Sequence, residues 1–168
     1  TTPKLVRFFA GLLTGRLEIL PRIYKAMEEK LGPIDYSSEL IPFSVTSYYE
    51  KEMGTSLKRQ FVSFQNPVSP DKLAEIKVFT NELELEWSES GNRMVNIDPG
   101  YLNDARVVLA STKDFSHRIY LSQGIYAEIT LLFRNKKYEP LSWTYPDFRS
   151  EDYQRIFQVL REKYLKKT

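Results

Sequence analysis

The chain's single histidine, His117, lies in the stretch STKDFSHRIY beside Lys113, Asp114, Ser116 and Arg118. An imidazole titrates near neutral pH, so one set between a carboxylate and two cations can carry a proton or hold a phosphate oxygen. A structural role, with the ring bonded to a neighbour at the mouth of an apolar face, uses the same residues. The next stretch, IYLSQGIYAE, reads as a β-hairpin with a three-residue Ser122-Gln123-Gly124 loop and glycine in the left-handed position. That register sets Leu121 against Ile125, Tyr120 against Tyr126 and Arg118 against Glu128. One face then carries Ile119, Leu121, Ile125, Ala127, Ile129 and Leu131 and is expected to be the core side. The other carries Arg118, Tyr120, Tyr126, Glu128 and Thr130. On the structural reading this second face holds a cross-strand ion pair and a ring pair, each contributing about 0.2–1 kcal/mol. On the functional reading it offers an arginine to an anion and rings to a base or sugar.

Asn96, Asp98, Tyr101 and Asp104 (VNIDPGYLND) form a second polar group. Asn96 and Asp98 share one strand face, and oxygen ligands of this kind suit Mg²⁺. Asp-Pro-Gly is first of all a turn signal, so the expectation is a strand that ends at Asp98. The third group, Tyr48-Tyr49-Glu50-Lys51-Glu52-Met53-Gly54, places two rings before two carboxylates and fits a pocket wall or a solvated loop equally well. Some chemistries are absent as motifs. Gly11–Arg16 (GLLTGR) is one residue short of a phosphate loop and lacks its Lys-Ser/Thr pair. Ser111-Thr112-Lys113-Asp114 does not fit the spacing of a guanine-reading element. Neither a nucleophile-elbow Gly-x-Ser-x-Gly nor a zinc-binding His-Glu-x-x-His occurs.

These groups need elements to position them. Lys4–Leu13 is an apolar run that reads as a buried strand. Leu20, Ile23, Tyr24, Met27 and Leu31 then follow helical spacing, with Pro21 in the first turn and Gly32-Pro33 as the stop. Glu39–Thr46 and Ser56–Phe64 read as strands. Ser69-Pro70 reads as the cap of a second helix with the stripe Leu73, Ile76, Phe79 and Leu83. Arg93–Ile97 reads as a short strand. Further strands are expected over Ala105–Ser111, His117–Leu121, Ile125–Phe133 and Lys137–Trp143. Ser150 caps a last helix with the stripe Tyr153, Ile156, Phe157, Leu160 and Tyr164. The expected class is α+β: a mixed, mainly antiparallel sheet with a ferredoxin-like βαββαβ first half, an extended hairpin second half and a C-terminal helix, in one domain over 1–168.

Composition bounds the rest. With 24 basic and 22 acidic residues, net charge gives no reason to expect a nucleic-acid binder. The absence of cysteine removes disulfides, thiolate nucleophiles and cysteine-based zinc sites, and a single histidine removes any site needing two imidazoles. No apolar run spans a bilayer, and the first residues lack the layout of a signal peptide, so the expected location is cytoplasmic with no membrane partner.

The strings PFSVTSYYEKEMG, AEIKVFTNELE, VNIDPGYL, STKDFSHRIYLSQGIYAEITL and SWTYPDFR together resemble an uncharacterised bacterial family, the domain-of-unknown-function family numbered forty-four sixteen. The resemblance covers nearly the whole chain. It implies a small bacterial cytoplasmic protein and brings no established activity.

The residues themselves lead to three expectations. The first is a module that binds a nucleotide or other phosphate-bearing small ligand, with Lys113, Asp114, His117, Arg118, Tyr120, Tyr126 and Glu128 as its contacts. The second is a Mg²⁺-dependent phosphoester or nucleotide hydrolase or transferase, with Asn96 and Asp98 at the metal and His117, Asp98 and Glu128 as catalytic candidates. The third is an RNA-binding or assembly module with an aromatic sheet face.

Overall fold

The structure, a computed structural model, describes residues 1–167, and of Lys167 the backbone only. The opening apolar run forms β1 (Arg7–Thr14), buried along its whole length because both faces of the sheet are covered here. Helix α1 (Leu20–Leu31) follows with Pro21 in its first turn, buries Ile23, Met27 and Leu31, and stops at Gly32, whose φ of 89° suits glycine. A short strand unforeseen from sequence, β2 (Ile34–Ser37), comes next. The strand expected over Glu39–Thr46 contracts to the pair β3 (Ile41–Pro42), and the rest of that segment is a strap carrying one helical turn, α2 (Glu50–Met53). Pro42 limits the ladder by lacking an N–H.

Strand β4 (Lys58–Phe64) leads to α3 (Leu73–Glu86). The expected side-chain cap at Ser69 does not form. The hydroxyl of Ser69 instead donates to the Asp71 carboxylate, and a short 3-10 turn, Pro70–Lys72, opens the helix. The small hairpin β5 (Ser88–Glu89) and β6 (Asn92–Arg93) precedes β7 (Val95–Leu102). Then come β8 (Arg106–Ser111), β9 (Arg118–Ser122), β10 (Ile125–Arg134), β11 (Lys137–Pro140) and α4 (Glu151–Lys167). The hydroxyl of Ser150 accepts from the Tyr153 N–H at 3.2 Å, as a helix cap should.

The fold is α+β, with nine strands in one sheet in the order β11-β10-β8-β7-β1-β4-β2, β3 added to β4 and β9 added to β10. The described pairings are antiparallel. The order strand, helix, strand, strand, helix, strand occurs in the first half as β1, α1, β2, β4, α3 and β7, with the unforeseen β2 in the place expected for Glu39–Thr46; these strands lie side by side as β7-β1-β4-β2. Helices α1 and α3 cover one face, where Ile23, Met27, Leu73 and Ile76 pack on Phe8, Ala10, Leu12 and Ile97. Helix α4 covers the other, where Tyr153, Phe157 and Leu160 pack on Phe9, Phe61 and Leu131. Ring contacts there are edge-on, as between Phe61 and Tyr153 at 4.8 Å, the geometry their quadrupoles favour. No helix among the described residues is long and apolar enough to cross a membrane.

Two expectations about strands are corrected. Asp98-Pro99-Gly100 is no turn. β7 runs straight through it, with Asp98 opposite Gly11 and Pro99 opposite Ala10 on β1. The hairpin turn is shorter than expected: Ser122, not Leu121, faces Ile125, around Gln123 and Gly124 at φ of 55° and 77°, and a register shift follows between Ile125 and Tyr126. That shift restores the expected pairs Tyr120–Tyr126 and Arg118–Glu128. The expected core side holds only in part: Ile125 and Leu131 are buried and Ala127 packs on the core, but the other three residues do not. Ile119, Leu121 and Ile129 are 69%, 41% and 39% exposed, while Glu128 and Thr130 are buried. β9 lies at the sheet margin beyond the helices' reach, and a second shift in β10, between Ile129 and Leu131, alters the alternation of its faces.

Candidate ligand-binding cleft

The site begins with a fork in the sheet. β7 pairs with β1 from Val95 to Leu102, but its pairing with β8 starts only at Gly100 opposite Leu109. Below that rung the outer edge of β7 is free of strand partners, and helix α3 serves it instead. The Ile97 N–H donates to the Glu84 carboxylate at 2.7 Å, and the Lys77 ammonium donates to the Ile97 carbonyl at 3.3 Å. Pro99 lies two residues on and so presents its missing N–H to the same edge, where a ladder strand would have needed it. The fork opens into a cleft of about 600 Å³, within the usual range for small-molecule sites.

All three polar groups seen in the sequence reach this cleft. From the first come Lys113, Arg118 and Glu128, from the second Asn96 and Asp98, and from the third Tyr48 and Tyr49. Sequence reasoning missed Arg59, Lys77, Glu84, Arg93, Tyr145 and Asp147, which also line it. A signal for two of them exists: Lys77 and Glu84, with Thr80 between them, fall on the same helical stripe as Leu73, Ile76 and Leu83, and all are buried. Arg59 shares strand parity with Phe61 and Ser63, which also marks an inward side chain.

The wall beneath α4 is organised by Arg59, which is 3% exposed. Its guanidinium donates to the Gly11 carbonyl at 3.2 Å, to Asp98 at 3.3 Å and to the Tyr153 hydroxyl at 3.1 Å, and lies 3.7 Å from Asp147. Burial opposes its charge, but Tyr153, Asp98 and Asp147 outweigh burial and raise its pKa above the ordinary arginine value. Burial pushes the Asp147 carboxyl up, against the pull of Arg59. Burial likewise raises Glu84, against its bond from Ile97 and the charges of Lys77 and Arg93.

The second arginine, Arg93, binds the strap to the fork. It donates to Glu52 at 2.9 and 3.0 Å and to the side-chain Oδ1 of Asn96 at 2.8 Å, and lies 3.5 Å from Glu84. The bonds from Arg93 hold Glu52 below its usual range. Above the cleft the strap carries a cluster of rings: Tyr49 meets Phe43 at 5.9 Å and Tyr48 at 5.0 Å, and Phe43 lies over Arg59 at 5.5 Å. Burial pushes the Tyr49 hydroxyl up to about 12, so it is a proton donor throughout the neutral range.

The remaining sequence candidates divide. Arg118 donates to Glu128 at 3.1 Å and reaches the Tyr145 hydroxyl at 3.5 Å. His117 does not line the cleft. Its Nε2 lies 2.9 Å from Glu128, behind Arg118, and its ring stacks on Trp143 at 5.2 Å. Tyr120 and Tyr126 pack edge to face on each other at 5.1 Å and stay outside the lining, as does the exposed Asp114. In the second group, Tyr101 packs on Phe8 in the core. Asp98 accepts the Asn96 amide at 3.0 Å as well as Arg59, so the two metal candidates are turned toward each other and toward a cation. No cluster of three His, Asp or Glu side chains suited to a metal ion occurs among the described residues.

The model of a family described as a domain of unknown function (DUF4416) fits residues 4–164. No curated protein and no solved structure matches the chain.

Proposed function

Because the chain belongs to this family of unknown function, its role is read from the cleft, and we propose that it binds a small phosphate-bearing ligand of nucleotide type there. One observation carries the reading: residues from three distant stretches and from α3 converge on a single 600 Å³ cavity that holds Arg59, Lys77, Arg93, Lys113 and Arg118 beneath an aromatic strap. Basic side chains meet an anion, and the rings of Tyr48, Tyr49 and Tyr145 give a base or sugar a flat surface. The ferredoxin-like reading of the first half rests on the order β7-β1-β4-β2. RNA-binding sheets of that kind recognise bases on an open aromatic face, whereas here helices cover both faces of the central strands. That contrast favours a small ligand in the fork.

The test is a thermal-shift screen of the purified chain against nucleotides, phosphosugars, short RNA and divalent metals. A ligand at 100 times its Kd stabilises by about 2.7 kcal/mol. For a chain of this length that is a rise in Tm of about 5–10 °C. The expected outcome is such a rise with a nucleotide or phosphosugar. A screen in which only RNA shifts Tm, or nothing does, counts against the proposal.

A further inference from the structure

The ionic inventory of the cleft says more about the ligand, provided the cleft is a phosphate-ligand site as proposed above. Among the described residues each lining arginine has a carboxylate within ion-pair distance: Arg59 has Asp98 and Asp147, Arg93 has Glu52 and Glu84, and Arg118 has Glu128. Lys77 differs. It is 7% exposed and lines the cavity, its ammonium bonds to the Ile97 carbonyl at 3.3 Å, and no described carboxylate lies within 4.0 Å of it. An ammonium has three N–H donors, and Glu84, the carboxylate whose charge it feels, lies beyond ion-pair distance. Glu84, on the same helix face, is already committed to the Ile97 N–H and to Arg93. Lys77 is therefore a desolvated positive charge at the floor of the fork with donors to spare.

The same inventory limits how much negative charge can enter. Asp98, Asp147, Glu84 and Glu128 line the cavity among its cations, so the walls are close to neutral rather than strongly basic. One phosphate is matched by Lys77 at the floor and the exposed Lys113 at the rim. A chain of phosphates would bring further charge against Asp98 and Asp147.

We infer that the ligand carries a single phosphate monoester, seated on Lys77 in the fork between β7 and β8, with its ring outward against the strap tyrosines. The selectivity is for a nucleoside monophosphate over the triphosphate.

Isothermal titration decides this. The adenine, guanine, cytosine and uracil nucleosides are compared with their 5′-monophosphates and their metal-free 5′-triphosphates, on the wild-type chain, Lys77→Met and Lys77→Arg. For the base that binds, the monophosphate is expected to bind at least about tenfold tighter than nucleoside or triphosphate. Lys77→Met should lose about tenfold to a hundredfold of monophosphate affinity and leave nucleoside affinity unchanged, while Lys77→Arg recovers most of the loss. A triphosphate that binds tighter than the monophosphate, or a folded Lys77→Met with full monophosphate affinity, overturns the single-phosphate inference and leaves nucleotide binding standing. Failure of every nucleotide overturns this inference, and overturns the proposed function as well if no phosphosugar raises Tm. The phosphate series on the wild-type chain needs no variant, so it decides the matter even if Lys77→Met does not fold.

Discussion

Arg59 shows how one side chain can serve both stability and the cleft. It is buried against Asp98, Asp147 and Tyr153 and ties β4, β7 and the start of α4 together beneath the lining. Such a group adds little over an apolar core, but removing it leaves two carboxylates facing each other without a cation. Arg59→Met is therefore expected to cost about 3–5 kcal/mol in denaturant unfolding. Adding Asp147→Asn should recover part of that loss. A loss under about 1 kcal/mol, within the range of a solvated surface pair, would contradict this placement. The expected Arg118–Glu128 and Tyr120–Tyr126 pairs are found, because the register shift after Ile125 offsets the shorter turn. Arg59 and Lys77 share the spacing of their buried neighbours, yet the charge on each argues for solvent until its distant partners are known, the Gly11 carbonyl and Asp98 for Arg59 and the Ile97 carbonyl for Lys77; Asp147 has no such local signal.

The fork is a property of elements. Gly100 stands at its first rung, and a Cβ added there would strike the Val108 carbonyl, the Phe9 ring and Leu109. Backbone cannot move aside as a flexible side chain can, so Gly100→Ala should push β8 from β7 and cost about 1–3 kcal/mol, as overpacked cores do. Equilibrium unfolding measures the cost, and unchanged stability would mean that the two strands are not held this closely. The sequence displayed all three helical stripes and most strands, since periodicity is local. It concealed the fork for a physical reason. Asp-Pro-Gly is a turn signal when read alone, and it becomes a strand interior because β1 pairs one edge and α3 supplies Glu84 and Lys77 to the other. The face assignment of β9 failed in the same way, since which side of a marginal strand is covered depends on where the helices end.

At the scale of the whole molecule, covering both sheet faces leaves the fork as the place where polar side chains and open volume meet. A smaller, shallower depression around Lys30, Gly32 and Asn66 lies on the α1 side and serves as an internal control for location. With basic and acidic residues nearly equal in number, long-range attraction for polyanions is small, and recognition has to come from the local arrangement of charge.

The most direct test of that claim follows backbone amide shifts by nuclear magnetic resonance as a nucleoside monophosphate is titrated into the chain. The largest, saturable changes are expected on Lys77, Ile97, Gly100, Ser111 and Tyr49, around the fork and its strap, while Lys30, Gly32 and Asn66 stay still. Changes centred on the α1 depression or on the exposed β9 margin, with the fork silent, would contradict it.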